Sequence, residues 1–288
     1  MAQPKMLKMH ATVSPGRNTW LAMLTVAVVA AAAMVAVPAH AGRSCDERKP
    51  VSAQTVERGM ALAAQTAQAL DAENERSGAT VVLVGRAGQD LSKYGLRYSH
   101  LGWAYKTPEG PWRVAHKLNE CGTAVGHVYR QGLGEFFLDD LWRYDAVLAV
   151  PSATVQAQLW PVLNDNTRVK MLHAPSYSMV SYAWGTKYQQ SNQWALETLA
   201  YAMEPTTVRT REQAQAWLRF KGYEPTALKL GPLTRLGGRV GSANIAFDDH
   251  PNEKRFHDRI ETVTVDSVLA WMQRSQLAAA PATVQVGR

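Results

Sequence analysis

The chain has 288 residues, a length that fits one or two ordinary domains, and its 31 Lys and Arg residues against 24 Asp and Glu residues give a formal net charge of +7. The basic residues form no run along the chain. A nucleic-acid-binding protein needs a clustered basic face, so the charge pattern does not indicate one.

The first 41 residues have the pattern of a secretion signal. Their start is basic, residues 20–37 are uncharged and apolar, and Ala39 and Ala41 form an A-x-A cleavage site. An uncleaved membrane anchor is the alternative, because the apolar stretch approaches the length that spans a bilayer. We expect a periplasmic or secreted protein, with membrane contact only through this segment where it is not removed.

Residues 42–276 are expected to form a single α+β domain, and residues 277–288 a flexible tail. Apolar residues at helical spacing predict helices, and β-branched and aromatic runs predict strands. The helices are expected at residues 52–70, 152–163, 188–203, 211–220 and 264–274. The strands are expected at residues 79–85, 98–105, 112–118 and 144–151. The glycine-rich stretch 230–246 is expected to be a loop or short strands.

Two cysteines, Cys45 and Cys121, follow the expected signal. An oxidising compartment allows such a pair to persist as a disulfide, and a bond of this span stabilises a fold by about 2–5 kcal/mol. The alternative is a nucleophilic Cys121, but this residue does not begin a predicted helix. The even count favours the disulfide.

His100 begins one predicted strand and His116 lies on the next, with the turn 106–111 between them. A hairpin would bring the two rings together, as when one histidine takes a proton and its neighbour orients the ring. The alternative is two unrelated histidines on half-buried strands.

Ser191 lies at the start of the helix predicted at 188–203. Helix N-termini stabilise developing negative charge, so a nucleophile gains from this position. Ser191 or Asn192 would equally serve as an ordinary N-cap, and the sequence alone does not separate the two roles.

Together these residues resemble the circularly permuted papain-like fold of NlpC-type cell-wall peptidases, in which the nucleophile follows the histidine along the chain. A closer resemblance is to the bacterial domain-of-unknown-function family 2145, and it covers nearly the whole chain after the signal. The motifs that carry it are Gly42-Arg43-Ser44-Cys45, Tyr94-Gly95-Leu96-Arg97-Tyr98-Ser99-His100, Asn119-Glu120-Cys121-Gly122, Gly134-Glu135-Phe136-Phe137-Leu138-Asp139-Asp140 and Ser191-Asn192-Gln193-Trp194.

The papain-like resemblance implies an antiparallel sheet packed on helices and a site that hydrolyses or transfers an amide or acyl bond. Permuted members of that fold carry a cysteine where Ser191 stands. The resemblance therefore implies Ser191 as nucleophile, His100 as base, His116 as orienting residue and the helix-start amides as oxyanion site. The alternative is a catalytically inactive envelope protein that binds through the same groove. A cell-envelope peptide or lipid is the expected substrate, and no cofactor is expected.

A second polar cluster contains Asp248, Asp249, His250, His257, Asp258 and Glu261. Carboxylates and imidazoles at this density could bind a divalent cation, but their spacing matches no established metal motif. Asp-Asp-His-Pro equally suits a turn. We expect no metal site here.

Overall fold

The computed structural model describes residues 51–139 and 141–286. All described residues belong to one compact unit, residues 40–288. The expected secretion signal therefore lies outside the described residues. Within 51–139 and 141–286, no helix has both the length and the apolar character needed to cross a bilayer.

The described residues form a mixed structure of eight α-helices and eight strands. The helices are α1 (Ala53–Ser77), α2 (Leu133–Phe137), α3 (Ala153–Asn164), α4 (Ser191–Met203), α5 (Arg211–Phe220), α6 (Pro232–Gly241), α7 (Asn252–Arg255) and α8 (Val265–Arg274). The strands are β1 (Val81–Ala87), β2 (His100–Lys106), β3 (Trp112–Asn119), β4 (Gly126–Gly132), β5 (Arg143–Ala149), β6 (Thr226–Lys229), β7 (Arg259–Thr262) and β8 (Ala282–Gln285).

Six strands form one antiparallel sheet in the order β4-β3-β2-β1-β5-β8. The expected hairpin is confirmed: β2 pairs with β3, with Trp103 opposite Ala115 and Lys106 opposite Trp112. The remaining two strands, β6 and β7, form a separate antiparallel pair. The expected α+β class is thus confirmed in its coarse form, an antiparallel sheet covered by helices.

Helices cover both faces of the six-stranded sheet. Successive side chains of a strand point to opposite sides, and both sides of this sheet carry apolar residues that the helices bury. On one side, Ala104 and Val114 pack against α1 and α2 residues such as Leu62 and Phe136. We call this side the α1 face. On the other, Leu101, Trp103 and Ala115 pack against α3, α4 and α8. We call this side the α4 face.

Capping side chains fix where several helices begin. The hydroxyl of Ser52 accepts a hydrogen bond from the Thr55 amide at the start of α1, and the hydroxyl of Ser152 accepts one from the Val155 amide at the start of α3. Gly78 ends α1 with a left-handed φ of 73°, a conformation that glycine adopts without strain.

One expectation about the C-terminal third was wrong. Residues 232–241 form helix α6 rather than a loop, because Pro232 occupies its first turn and Gly238 allows close packing against Ile245. The expected flexible tail contains strand β8, which pairs with β5 from Asp145 to Leu148. The side chain of Val284 packs on the α1-face core, which explains why this segment is held.

Gly102 provides a sharp test of the contact between β2 and β3. A Cβ at this position would lie 2.7 Å from Val114 Cγ1 and 3.0 Å from the Ala115 carbonyl oxygen. We expect Gly102→Ala to lower the free energy of unfolding by about 1–3 kcal/mol, because the core must move to admit it. Gly134→Ala is the matched control, since its nearest neighbour would be the flexible Met60 Sδ at 3.4 Å. Equal stability of both variants in urea denaturation would contradict this packing.

Candidate functional site

The two histidines form the pair that the hairpin predicts. His100 Nε2 lies 2.9 Å from His116 Nδ1, and His116 Nε2 lies 2.8 Å from Gln131 Oε1 on β4. The side-chain amide oxygen of Gln131 can only accept a hydrogen bond, so His116 Nε2 carries a proton. His116 Nδ1 then accepts a hydrogen bond from His100. His116 therefore fixes the direction of the His100 ring through this hydrogen bond.

Both histidines lie on the α1 face, in a buried environment. Phe136 of α2 contacts both rings, with centroid distances of 5.8 Å to His100 and 5.1 Å to His116. Arg86 of β1 lies beside them, donates to the Phe136 carbonyl oxygen and forms an ion pair with Asp139 at 2.7 Å.

Burial and the positive charge of Arg86 keep these imidazoles neutral. Loss of solvent, followed by Arg86 and His116, holds the pKa of His100 well below its usual value. The same two causes, burial first and then Arg86, lower the pKa of His116 to about 3, although the Gln131 hydrogen bond opposes them. The pair is therefore an uncharged structural unit near neutral pH.

Ser191 begins α4 on the opposite face of the sheet. The side chain of Asn192, its neighbour, accepts from the Leu101 amide at 3.0 Å, and the Trp103 indole donates to the Ala195 carbonyl oxygen at 3.0 Å. Because Leu101 and Trp103 point toward α4, the alternating side chain of His100 points away from it. The expected Ser191–His100–His116 arrangement is therefore not assembled, and His100 is not placed to activate Ser191.

The start of α4 is instead filled by protein groups. The Ser191 hydroxyl lies 3.3 Å from the Tyr177 hydroxyl, and both residues are buried. Gln190 is the N-cap, so neither of the two residues expected in that role holds it, and its side chain accepts from the Asn192 amide at 3.1 Å. The expected oxyanion donors at this helix start thus include one amide that is already hydrogen-bonded.

A buried polar network lies farther along the α4 face, and the sequence reasoning missed it. Glu197 accepts hydrogen bonds from Gln189 at 2.6 Å, from Arg211 at 2.8 Å and from Gln215 at 2.8 Å. Lys117 of β3 joins it by donating to the side-chain amide oxygen of Gln189 at 3.0 Å. The sequence feature that indicates this network is Glu197, a charged residue within the apolar stretch of α4, because a buried charge requires polar partners.

Lys117 is the titratable centre of this network. Its side chain is fully buried and donates to the Ala174 carbonyl oxygen as well as to Gln189. Burial, aided by the charge of Arg211 and opposed by that of Glu197, lowers the pKa of Lys117 to about 7.

The remaining expected residues take separate positions. Cys121 lies in the turn after β3, but Cys45 is outside the described residues, so their disulfide stays a prediction. In the second polar cluster, Asp249 lies 3.0 Å from His250 Nδ1, and Glu261 forms ion pairs with Lys254 and Arg259. Over 51–139 and 141–286, no group of three or more His, Cys, Asp or Glu residues is arranged to hold a metal ion.

A family model matches residues 73–272, and its description is an uncharacterised protein conserved in bacteria, DUF2145. This match spans more than two thirds of the chain, and it includes β1 to β7, the histidine pair and α4. The protein belongs to this family, as its motifs led us to expect. Searches of curated proteins and of solved structures gave no significant match.

The Lys117 environment predicts a specific pH dependence of stability. The pKa of Lys117 is about 7 in the folded protein and has its ordinary value of 10.5 in the unfolded chain, so the unfolded chain binds more protons between these two pH values. The free energy of unfolding should therefore rise with pH across this window. This rise in the free energy of unfolding should be absent from Lys117→Met. It should persist in Lys170→Met, the control at an exposed lysine. Urea denaturation from pH 6.5 to 10.5 measures the difference, and parallel curves for wild type and Lys117→Met would contradict the assignment.

Proposed function

We propose that this protein is an exported, non-catalytic component of the cell envelope that works by binding, on a core of permuted papain-like topology. The observation that carries the proposal is the separation of His100 and Ser191 onto opposite faces of the sheet. A serine hydroxyl is a poor nucleophile without a base in hydrogen-bond reach, so this separation removes the expected mechanism.

The papain-like ancestry is supported by the placement of α4. This helix packs on the central antiparallel strands through Trp194, and β2 and β3 carry the histidine pair, so the expected parts are present in the expected chain order. Two features depart from a working site: the histidine side chains point away from α4, and a buried Ser191 stands where the cysteine nucleophile is expected. We infer that the framework has been kept while the catalytic contacts have been lost.

The chemistry of the α4 start supports the same conclusion. Ser191 and Tyr177 are buried, and burial without a general base leaves a hydroxyl both unreactive and inaccessible. The nearby side chains of Gln190, Asn192 and Gln193 all hydrogen-bond to backbone groups of other segments. They anchor α4 to its surroundings, and this is a structural role.

Reaction with a fluorophosphonate probe tests the loss of catalysis. We expect wild type, Ser191→Ala and the control Ser181→Ala, which also removes a buried serine hydroxyl, to show the same labelling. Intact-mass measurement after incubation near neutral pH gives the readout. Labelling of wild type and Ser181→Ala that disappears in Ser191→Ala would establish a nucleophile and refute the proposal.

A double-mutant cycle tests the structural role of Ser191 in the same samples. Ser191→Ala and Tyr177→Phe should each lower the free energy of unfolding by about 1 kcal/mol, and the double variant should lose less than their sum because both remove one hydrogen bond. Replacing a residue that is retained for catalysis often makes a protein more stable. A more stable Ser191→Ala variant would therefore argue against a structural role.

A further inference from the structure

Helix α6 presents its apolar residues to solvent instead of to the core. Leu233, Leu236 and Val240 are 83, 59 and 81% exposed. At about 100° per residue these three side chains fall within an arc of roughly 60°, so they form one continuous line along the helix. We call this line, consisting of Leu233, Leu236 and Val240, the apolar stripe.

The opposite side of α6 is the side that meets the rest of the protein. Gly238 is buried, and a Cβ added there would lie 3.3 Å from Ile245 Cγ2. Arg235 donates to Asp258 at 2.7 Å and to the Leu230 carbonyl oxygen at 2.6 Å. These contacts fix the rotation of the helix, so the apolar stripe is held outward. A surface helix normally has the reverse orientation, with its apolar side toward the core.

The charges around the apolar stripe are suited to an anionic surface. Helix α6 contains Arg235 and Arg239 and no carboxylate, and residues 229–259 carry six Lys and Arg against four Asp and Glu. Several nearby carboxylates are already bound to cations of the protein: Asp258 to Arg235, Asp248 to Lys187, and Glu261 to Lys254 and Arg259.

A second exposed apolar residue of the same region has the same basic context. Phe256 follows α7, is exposed, and has the guanidinium of Arg255 above its ring at 5.0 Å. The Asp258 backbone accepts from the Leu230 amide and its side chain binds Arg235, so this turn is tied to the start of α6. Aromatic and leucine side chains flanked by arginine are typical of helices that lie in a membrane interface.

We propose that the apolar stripe of α6 is a membrane-binding surface that inserts into the headgroup region of an anionic phospholipid bilayer, with Arg239 contacting lipid phosphates. Arg239 lies about 60° around the helix from Leu236 and about 100° from Val240, which places its guanidinium beside the stripe rather than within it. This inference goes beyond the proposed function and does not depend on the loss of catalysis. It adds a membrane contact to the one expected from the N-terminal segment.

Vesicle flotation tests the proposal. All described residues lie in the unit 40–288, so the chain from His40 is used, which leaves out the apolar N-terminal stretch. We expect this protein to float with phosphatidylglycerol vesicles and at least tenfold less with phosphatidylcholine vesicles. The triple variant Leu233→Ser, Leu236→Ser, Val240→Ser should lose binding at least tenfold. Arg239→Gln should weaken binding to phosphatidylglycerol vesicles and leave the weaker binding to phosphatidylcholine vesicles unchanged.

The matched control is Phe220→Ser on α5, because Phe220 is also 83% exposed. It should leave binding unchanged, and circular dichroism should show that all variants stay folded. Equal flotation of wild type and the triple variant, equal loss in Phe220→Ser, or no flotation of wild type would overturn the proposal. Sedimentation velocity addresses a different occupant: a dimer that the triple variant abolishes, without vesicle binding by wild type, would assign the stripe to a second copy of the chain.

Discussion

The alternation of side chains along β2 is the constraint on which the rest of this structure depends. Leu101 and Trp103 point into the core beneath α4, and hydrogen bonds from the Leu101 amide and the Trp103 indole to α4 fix that orientation. The His100 side chain must then point to the α1 face. There it hydrogen-bonds to His116, which is in turn bound to Gln131, and it packs against Phe136. A shift by one residue would exchange every side chain between the faces, and both cores would be lost.

This constraint places two buried polar systems on opposite faces of the sheet. The histidine pair is neutral and is held between β1, β3, β4 and α2, while the Glu197 network ties α4 to α5 and to the segment before α4. Removing one partner from a buried charged network leaves an uncompensated group, so such networks are costly to alter. The interior is therefore built for rigidity, and the exposed apolar stripe of α6 is the surface that we assign to binding.

Much of this fold follows from local sequence patterns. Three features depend on neighbouring residues and could therefore be predicted: the hairpin of β2 and β3, the Ser152 cap, and the helical spacing of the apolar residues of α1. The pairing of β8 with β5 and the formation of α6 could not, because both depend on contacts distant in the chain, such as Val284 on the α1-face core. At the candidate site, the closeness of His100 and His116 followed from the turn between them. Their separation from Ser191 did not, since it depends on which face of the sheet α4 covers.

The most direct test of the central claim is the set of nuclear Overhauser effects from the two histidine rings in isotope-labelled protein. The account predicts cross-peaks from the rings of His100 and His116 to the ring of Phe136, whose centroid lies 5.8 and 5.1 Å away. It also predicts cross-peaks from the Ser191 β-protons to the ring of Tyr177 and none to His100. A cross-peak between the His100 ring and the Ser191 β-protons would place both residues on one face and contradict the account.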